Sequence, residues 1–304
     1  CRQTYDHARL EVILVDDGST DETAAVAAHV LGQSGLAHQI TRLPNGGPSR
    51  ARNAGAAIAR GTWLQFLDAD DLLATTKIAT QARATPDLDE RVAVVYSNWQ
   101  RLARVAGRWQ ATPPVVNPRI GDDPLRDILQ TDNFLQVGSA LIRRSWLERV
   151  GGFDERHWLI EDVDLLLRLA IRGGQFHKTG TAEPLLFYRQ HDGASLSRRD
   201  QRAFTEGCLR NVRMVEAHWR AGGELSADRA AFLAEAYFQG ARYFATVDEG
   251  IFEELVRTCE ALVARFLPPG PAHLRFVSRL VGYRRAERIA IRYRRLRHGP
   301  PRGA

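Results

Sequence analysis

Methionine, cysteine and lysine are all scarce in these 304 residues. The one methionine is Met214 and the chain opens on Cys1, so the sequence reads as a fragment of something longer. Cys1, Cys208 and Cys259 are odd in number and lack metal-ligand spacing, which argues against a disulfide framework and fits free thiols in a reducing compartment. Lys77 and Lys178 are the only lysines, so nearly all of the 42 basic residues are arginine, a coding bias rather than a mechanism. No apolar run approaches the roughly 20 residues of a membrane span, and no signal-peptide pattern opens the chain. A cytoplasmic body is the expectation.

What is present is ordinary globular composition, 44% hydrophobic and 26% charged, with a charge that is unevenly spread. Ten Arg and one Glu fall between Gly270 and Ala304, a local +9 that leaves −3 of the net +6 for everything before it. The basicity belongs to the tail.

Leu10 to Val15 is a compact apolar, β-branched strand ending in Asp16-Asp17-Gly18-Ser19-Thr20-Asp21, where Ser19 or Thr20 can cap the helix from Thr23 to Leu31. Gln39 to Leu43 reads as a second strand, Asn45 to Ser49 as a loop, and Arg50 to Arg60 as a small-residue helix. Trp63 to Leu67 then forms a short buried strand that stops in Asp68, Asp70 and Asp71. Carboxylates this close repel and resist burial, so a cation, a metal-bound phosphate or solvent must compensate them. Asp70 or Asp71 capping a helix near Leu72 is the competing reading. Strand, helix, strand, helix, strand predicts a doubly wound parallel sheet, in which Asp16-Asp17 and Asp68 with Asp70 reach the same edge.

Further strands are expected at Val92 to Tyr96, within Phe134 to Arg143, and at Pro184 to Arg189. Glu161-Asp162-Val163-Asp164 opens a helix through Ile171 whose apolar stripe is Val163, Leu166, Leu167 and Ala170. From Phe204 onward the periodicity is helical.

VDDGSTD, NGGPSRARNAGAAIARG and FLDADD, followed by GGFDE, EDVDLLLRL and Tyr188-Arg189-Gln190-His191, resemble family 2 glycosyltransferases of the GT-A fold over roughly residues 1 to 199. The resemblance implies an α/β, Rossmann-like, mostly parallel sheet flanked by helices, lacking here its first strand and Pro-x-Tyr-Asn-like loop. An all-helical region over 200–304 would follow this domain. It also implies transfer of a sugar from a nucleotide sugar, most often a UDP-sugar, to a glycan or lipid-linked hydroxyl acceptor with inversion, in cell-surface polysaccharide or glycoconjugate assembly. A divalent cation, Mn2+ or Mg2+, would neutralise the leaving diphosphate.

By that resemblance Asp70 reaches the metal first, with Asp68 assisting and His191 a further ligand; an exposed loop histidine is the bland reading of His191. Asp16, Asp17, Arg50, Arg52 and Asp68 line the nucleotide sugar, although Asp16 also suits a turn and either arginine a solvated helix face. Asp162 is the expected base, with Glu161 and Gly152 on the acceptor side; helix N-terminal charge is the plainer reading of Glu161 and Asp162. No Gln-x-x-Arg-Trp element is present, which favours single addition over processive synthesis. A non-catalytic nucleotide-sugar-binding or scaffold protein is the alternative.

Tyr283 to Arg297 reads as one further, strongly basic helix. At 100° per residue Arg284, Arg285, Arg288, Arg292 and Arg295 fall within roughly 100° of arc, opposite Tyr283, Ile289, Ala290, Ile291, Tyr293 and Leu296. Such a helix suits either peripheral contact with an anionic membrane surface or packing on the domain with its arginines solvated. No nucleic-acid-binding fold is recognised.

Overall fold

A computed structural model describes residues 2–190, 200–269 and 272–298 of the chain, the side chains of 294–298 excepted. Its contacts divide into two compact units, Cys1–Arg199 and Asp200–Ala304.

The first unit is mixed α/β. Strand β1 (Glu11–Asp16), helix α1 (Thr23–Gly32), strand β2 (Ala37–Arg42) and helix α2 (Pro48–Ile58) follow one another, and β1 and β2 pair in parallel from Glu11 with Ala37 to Asp16 with Arg42. Pro48 starts α2 where its missing N–H costs nothing. Strand β3 is only Trp63–Leu64, shorter than the run to Leu67 predicts. Past Leu64 the side-chain amide of Gln65 donates to Gly138 O at 2.8 Å, and Phe66 packs edge-on against Phe153 at 5.0 Å, so the backbone leaves the ladder.

No helix starts at Leu72. Instead Leu72–Leu73 is strand β4, and helix α3 (Lys77–Ala84) begins five residues later, which corrects the helix-cap reading of Asp70 and Asp71. Strand β5 (Val92–Tyr96) is buried at all five positions, as an apolar run covered on both faces should be. It is followed by β6 (Asn98–Val105) and β7 (Arg108–Val116), an antiparallel hairpin turned by Ala106 and Gly107. Both turn residues have positive φ, 49° and 78°, the backbone that matches a right-twisted two-residue hairpin.

After helix α4 (Pro124–Leu129), residues Val137–Ser139 form a 3-10 turn, and strand β8 is confined to Ala140–Arg143. Helices α5 (Arg144–Arg149) and α6 (Glu161–Ile171) and strands β9 (Gln175–Lys178) and β10 (Pro184–Arg189) complete the unit. The sheets run β1-β2, β3-β8-β5-β9 and β4-β10-β6-β7. Pairing is more mixed than the strand–helix alternation suggests: β1-β2, β5-β9 and β6-β10 are parallel, whereas β3-β8, β5-β8, β6-β7 and β4-β10 are antiparallel. In the β3-β8-β5-β9 sheet, β8 inserts against the direction of both its neighbours. β3 and β5 consequently point the same way and end at one sheet edge.

The second unit is helical: α7 (Gln201–Ala221), α8 (Ala227–Phe244), α9 (Glu249–Leu262), α10 (Ala272–Val281) and α11 (Tyr283–His298). Trp219, Leu233, Tyr237, Phe238, Phe244 and Leu255 fill its core. The arc division of α11 holds only in part. Tyr283, Ala286 and Glu287 are buried, whereas Ile289 and Tyr293 stand exposed with the arginines. Arg284 and Arg288 pair with Glu253, and Arg288 also with Glu249, so part of the basic face is tied to α9.

Candidate active site

The end of β1 is closed by its own acidic pair. Asp16 is 3% exposed, and its Oδ1 accepts from Ser19 N at 2.8 Å while Arg42 Nε lies 3.4 Å from Oδ2. The hydrogen bonds from Ser19 hold this carboxyl below the ordinary carboxylate range. Asp17 turns the other way, accepting from Gly46 N and Gly47 N at 2.8 Å each, one on each oxygen. The Asn45–Gly47 loop is thereby fastened to the strand end. Gly18 permits this, since at φ +83° a Cβ there would sit 2.9 Å from Asn45 N. Arg50, on the first turn of α2, is exposed and folds back over Gly46.

Arg52 is the centre of the arrangement. Its Nη2 donates to Asp68 Oδ1 at 2.6 Å and its Nη1 to Glu161 Oε1 at 2.6 Å, joining the segment after β3 to the start of α6. The guanidinium side chain is 14% exposed and sits 5.3 Å from the Phe153 ring centroid. Burial opposes the charge, but the Asp68 and Glu161 carboxylates outweigh it and raise the Arg52 pKa. Asp162 lies next in the chain, and its Oδ1 accepts from Val163 N at 2.8 Å. Burial first, and then the charge of Glu161, push the Asp162 carboxyl well above the usual range, against the pull of Arg52. One helix start therefore carries two carboxyls with different partners. Glu161 is neutralised by arginine, and Asp162 is left a stronger base than an ordinary aspartate.

The loop before α6 is held by α2 as well. Asn53 Nδ2 donates to Phe153 O at 2.9 Å and to Glu155 Oε1 at 3.0 Å, its Oδ1 accepts from Phe153 N at 2.8 Å, and Ser49 Oγ donates to His157 O at 3.1 Å. Gly152 sits beneath this contact at φ +75°, where a Cβ would fall 2.6 Å from Asn53 Oδ1. Gly152→Ala should accordingly cost about 1–2 kcal/mol of stability, from the left-handed backbone and the displaced amide together, read by urea unfolding. Gly151→Ala, also at positive φ but with nothing within 4 Å, isolates the backbone part.

Beyond β3 the three aspartates separate. Asp68 is half-buried and bound to Arg52, Asp70 is exposed, and Asp71 is 4% exposed. Asp71 Oδ1 accepts from Arg189 N at 3.0 Å and Oδ2 from Gln136 Nε2 at 3.2 Å, which ties the segment to β10. Burial, reinforced by Asp68 and Asp70, pushes its carboxyl up to about 7. The folded chain thus holds a proton on Asp71 that the unfolded chain has released, and this contribution to stability declines as pH rises from about 4 to about 7. Asp71→Asn should flatten that decline in denaturant midpoints measured from pH 4 to 8.

Among the described residues no group of three or more His, Cys, Asp or Glu is gathered for a metal ion, and His191 lies outside the described residues. Asp68 and Asp70 are hard oxygen donors two residues apart. That set fits a cation held by one or two carboxylates and completed by water and phosphate oxygens.

Two contributors have little signal in the sequence. An asparagine in a helix, such as Asn53, carries none of a partner a hundred residues away. Trp158, 57% exposed, has ring atoms 3.6–3.8 Å from where a Gly47 Cβ would stand. A lone tryptophan in the GGFDE–EDVD gap is its hint in the sequence.

Residues 1–151 match the family model of glycosyl transferase family 2. The chain is 31% identical over 197 residues to the O-antigen biosynthesis protein RfbC of Myxococcus xanthus, covering 63% of this chain and 14% of that protein. It is 35% identical over 120 residues to the UDP-Glc:alpha-D-GlcNAc-diphosphoundecaprenol beta-1,3-glucosyltransferase WfaP of Escherichia coli, covering 38% of this chain and 44% of that one. The chain thus spans less than half the length of either relative. The crystal structure of S. aureus TarS 1-349 in complex with UDP-GlcNAc superposes with a TM-score of 0.64 at 19% identity, over 96% of this chain and 85% of that one, a likeness of fold. Through residues 1–151 the chain belongs to glycosyl transferase family 2.

Proposed function

We propose that the first unit transfers a glycosyl group from a nucleotide sugar to a hydroxyl of a glycan or lipid-linked acceptor, with inversion, in polysaccharide assembly. The observation that carries this reading is the Arg52 bridge between Asp68 and Glu161, because it sets Asp162 beside the sheet edge where ligands of open α/β folds lie. Asp162 accepts the hydroxyl proton as the acceptor oxygen attacks the anomeric carbon. The bond to the diphosphate breaks on the opposite face, so one displacement inverts the centre. The loop that Asp17 fastens, together with Arg50, orients the nucleotide, and Trp158 offers an aromatic face beside it. Asp70, with Asp68, would hold a divalent cation, Mn2+ or Mg2+, whose charge would offset that of the departing diphosphate. Glu161 and the Gly152 turn shape the acceptor side.

RfbC, WfaP and the succinoglycan biosynthesis protein ExoU of Rhizobium meliloti, 28% identical over 187 residues, support the polysaccharide context. The bound UDP-GlcNAc of TarS supports a UDP-sugar donor. The exposed Ile289 and Tyr293 among the arginines of α11 support peripheral contact with an anionic membrane surface. No described helix is long and apolar enough to cross a membrane.

The test is thermal shift against a panel of nucleotide sugars with and without manganese. At a hundred-fold excess over Kd a true donor adds about 2.7 kcal/mol of stability. Asp70→Ala should lose the manganese-dependent part of the shift and retain the metal-independent part. A panel with no stabilising nucleotide sugar would remove the donor reading, and binding without turnover would favour a non-catalytic binder.

A further inference from the structure

Farther along the edge on which β3 and β5 end, the C-terminal ends of β5 and β9 open on a second concavity. Tyr96 and Lys178 are register partners at the close of these parallel strands, and β8 places them on the same edge as the exit of β3. In the order β3-β8-β5-β9 the distance is three strand spacings, roughly 14 Å. The groove has a volume of about 620 Å³, within the range of small-molecule sites.

Its lining is cationic and polar. Lys178 and Arg119 both face it, and no carboxylate does; Asp127, next to it, is occupied by Gly121 N at 2.7 Å. The Lys178 ammonium is steered by Asn117 Oδ1 and by Pro118 O at 2.7 Å. Arg119 is held by its backbone, its N donating to Asn133 Oδ1 and its O accepting from Asn133 Nδ2, each at 2.7 Å. Its exposed guanidinium has no partner among the described residues. The Arg119 charge acts on Lys178, a repulsion that an anion between them would relieve. Thr179 and Thr181 add hydroxyls to the wall. Asn98 is a second and independent pointer: 4% exposed, it spends its Nδ2 on Ala182 O at 2.9 Å, while its buried Oδ1 has no partner. A hydroxylated ligand would donate to it.

We infer that this groove binds an oxyanion, phosphate or carboxylate, on a hydroxylated acceptor, and that the acceptor extends along the sheet edge from Asp162 to Lys178. The oxyanion site stands on the groove alone; its assignment to the acceptor rests on the transferase reading above. Recognition here would select charged acceptors without touching the donor.

The experiment titrates inorganic phosphate, glycerol 1-phosphate and glucuronate separately into the full chain labelled with nitrogen-15, following the amides of 178–182 and Gly121. The ester or the uronate should move these amides, and which of them does so identifies the anion. Arg119→Gln, which removes an exposed guanidinium and no structural bond, should weaken that binding roughly tenfold or more. Arg119→Gln should keep the wild-type thermal midpoint, because only the backbone of Arg119 is engaged in the fold. Unmoved amides, or an Arg119→Gln variant that binds like wild type, would overturn the inference. Binding of inorganic phosphate alone would overturn its assignment to the acceptor. A UDP titration followed at Gly46 and Gly47 is scored separately, so failure of the donor reading shows there and not at the groove.

Discussion

Asp162→Asn is expected to lower the single-turnover rate of sugar transfer by about 10²–10⁴-fold, the range for loss of a positioned general base, with nucleotide-sugar affinity kept within about twofold. The reason is chemical and local. Asparagine keeps the size of the side chain and an oxygen for Val163 N, but it cannot take a proton. The pH profile separates this role from a structural one. Burial and Glu161 raise the Asp162 pKa, so the base is protonated and idle below it, and the wild-type rate should climb with pH through that raised value. The asparagine variant should show no such limb. An unchanged limb would place the base elsewhere.

Arg52→Met carries the second large effect, and it acts on stability and rate together. The methionine fills much of the volume but leaves Glu161 buried and unpaired, at a cost of about 3 kcal/mol, discounted because Asp68 is 35% exposed and can turn to solvent. Asp68 and α6 would lose their tie, and with two like charges unscreened beside it Asp162 should titrate higher still. The acidic limb of the rate should therefore move to higher pH, on top of a loss of about tenfold or more. Arg52→Lys is not expected to rescue either property, since one ammonium on a flexible stem cannot hold two carboxylates 2.6 Å from separate nitrogens of a planar fork. Chemical denaturation and a pH–rate series would check both. A variant with wild-type stability and limb would show that the bridge is incidental.

Much of the first unit was legible because its signals are short. VDDG after an apolar run, a glycine loop before a small-residue helix, FLDADD, and EDVD ahead of an apolar stripe each need only a few neighbouring residues to be recognised. Where the reading failed, the deciding partner was distant. Leu72 and Leu73 read as the start of a helix, yet β10, more than a hundred residues on, draws them into a ladder. Trp63 to Leu67 reads as one strand, yet Gly138 and Phe153 pull Gln65 and Phe66 off it. The direction of β8 between β3 and β5 has no local signal at all.

The acidic residues show the same division more finely. From the sequence, Asp68, Asp70 and Asp71 are three equivalent carboxylates after a strand, and Glu161 and Asp162 are a pair at a helix start. Composition and spacing determined that negative charge would collect at these two places. Only the tertiary structure decided how their surroundings differ: it buries Asp71 against Gln136 and Arg189, pairs Asp68 and Glu161 with Arg52, keeps Asp70 exposed, and raises Asp162 by burial beside a like charge. A carboxylate's basicity is set by the groups within a few ångströms of it, and in a folded chain those groups come from anywhere in the sequence.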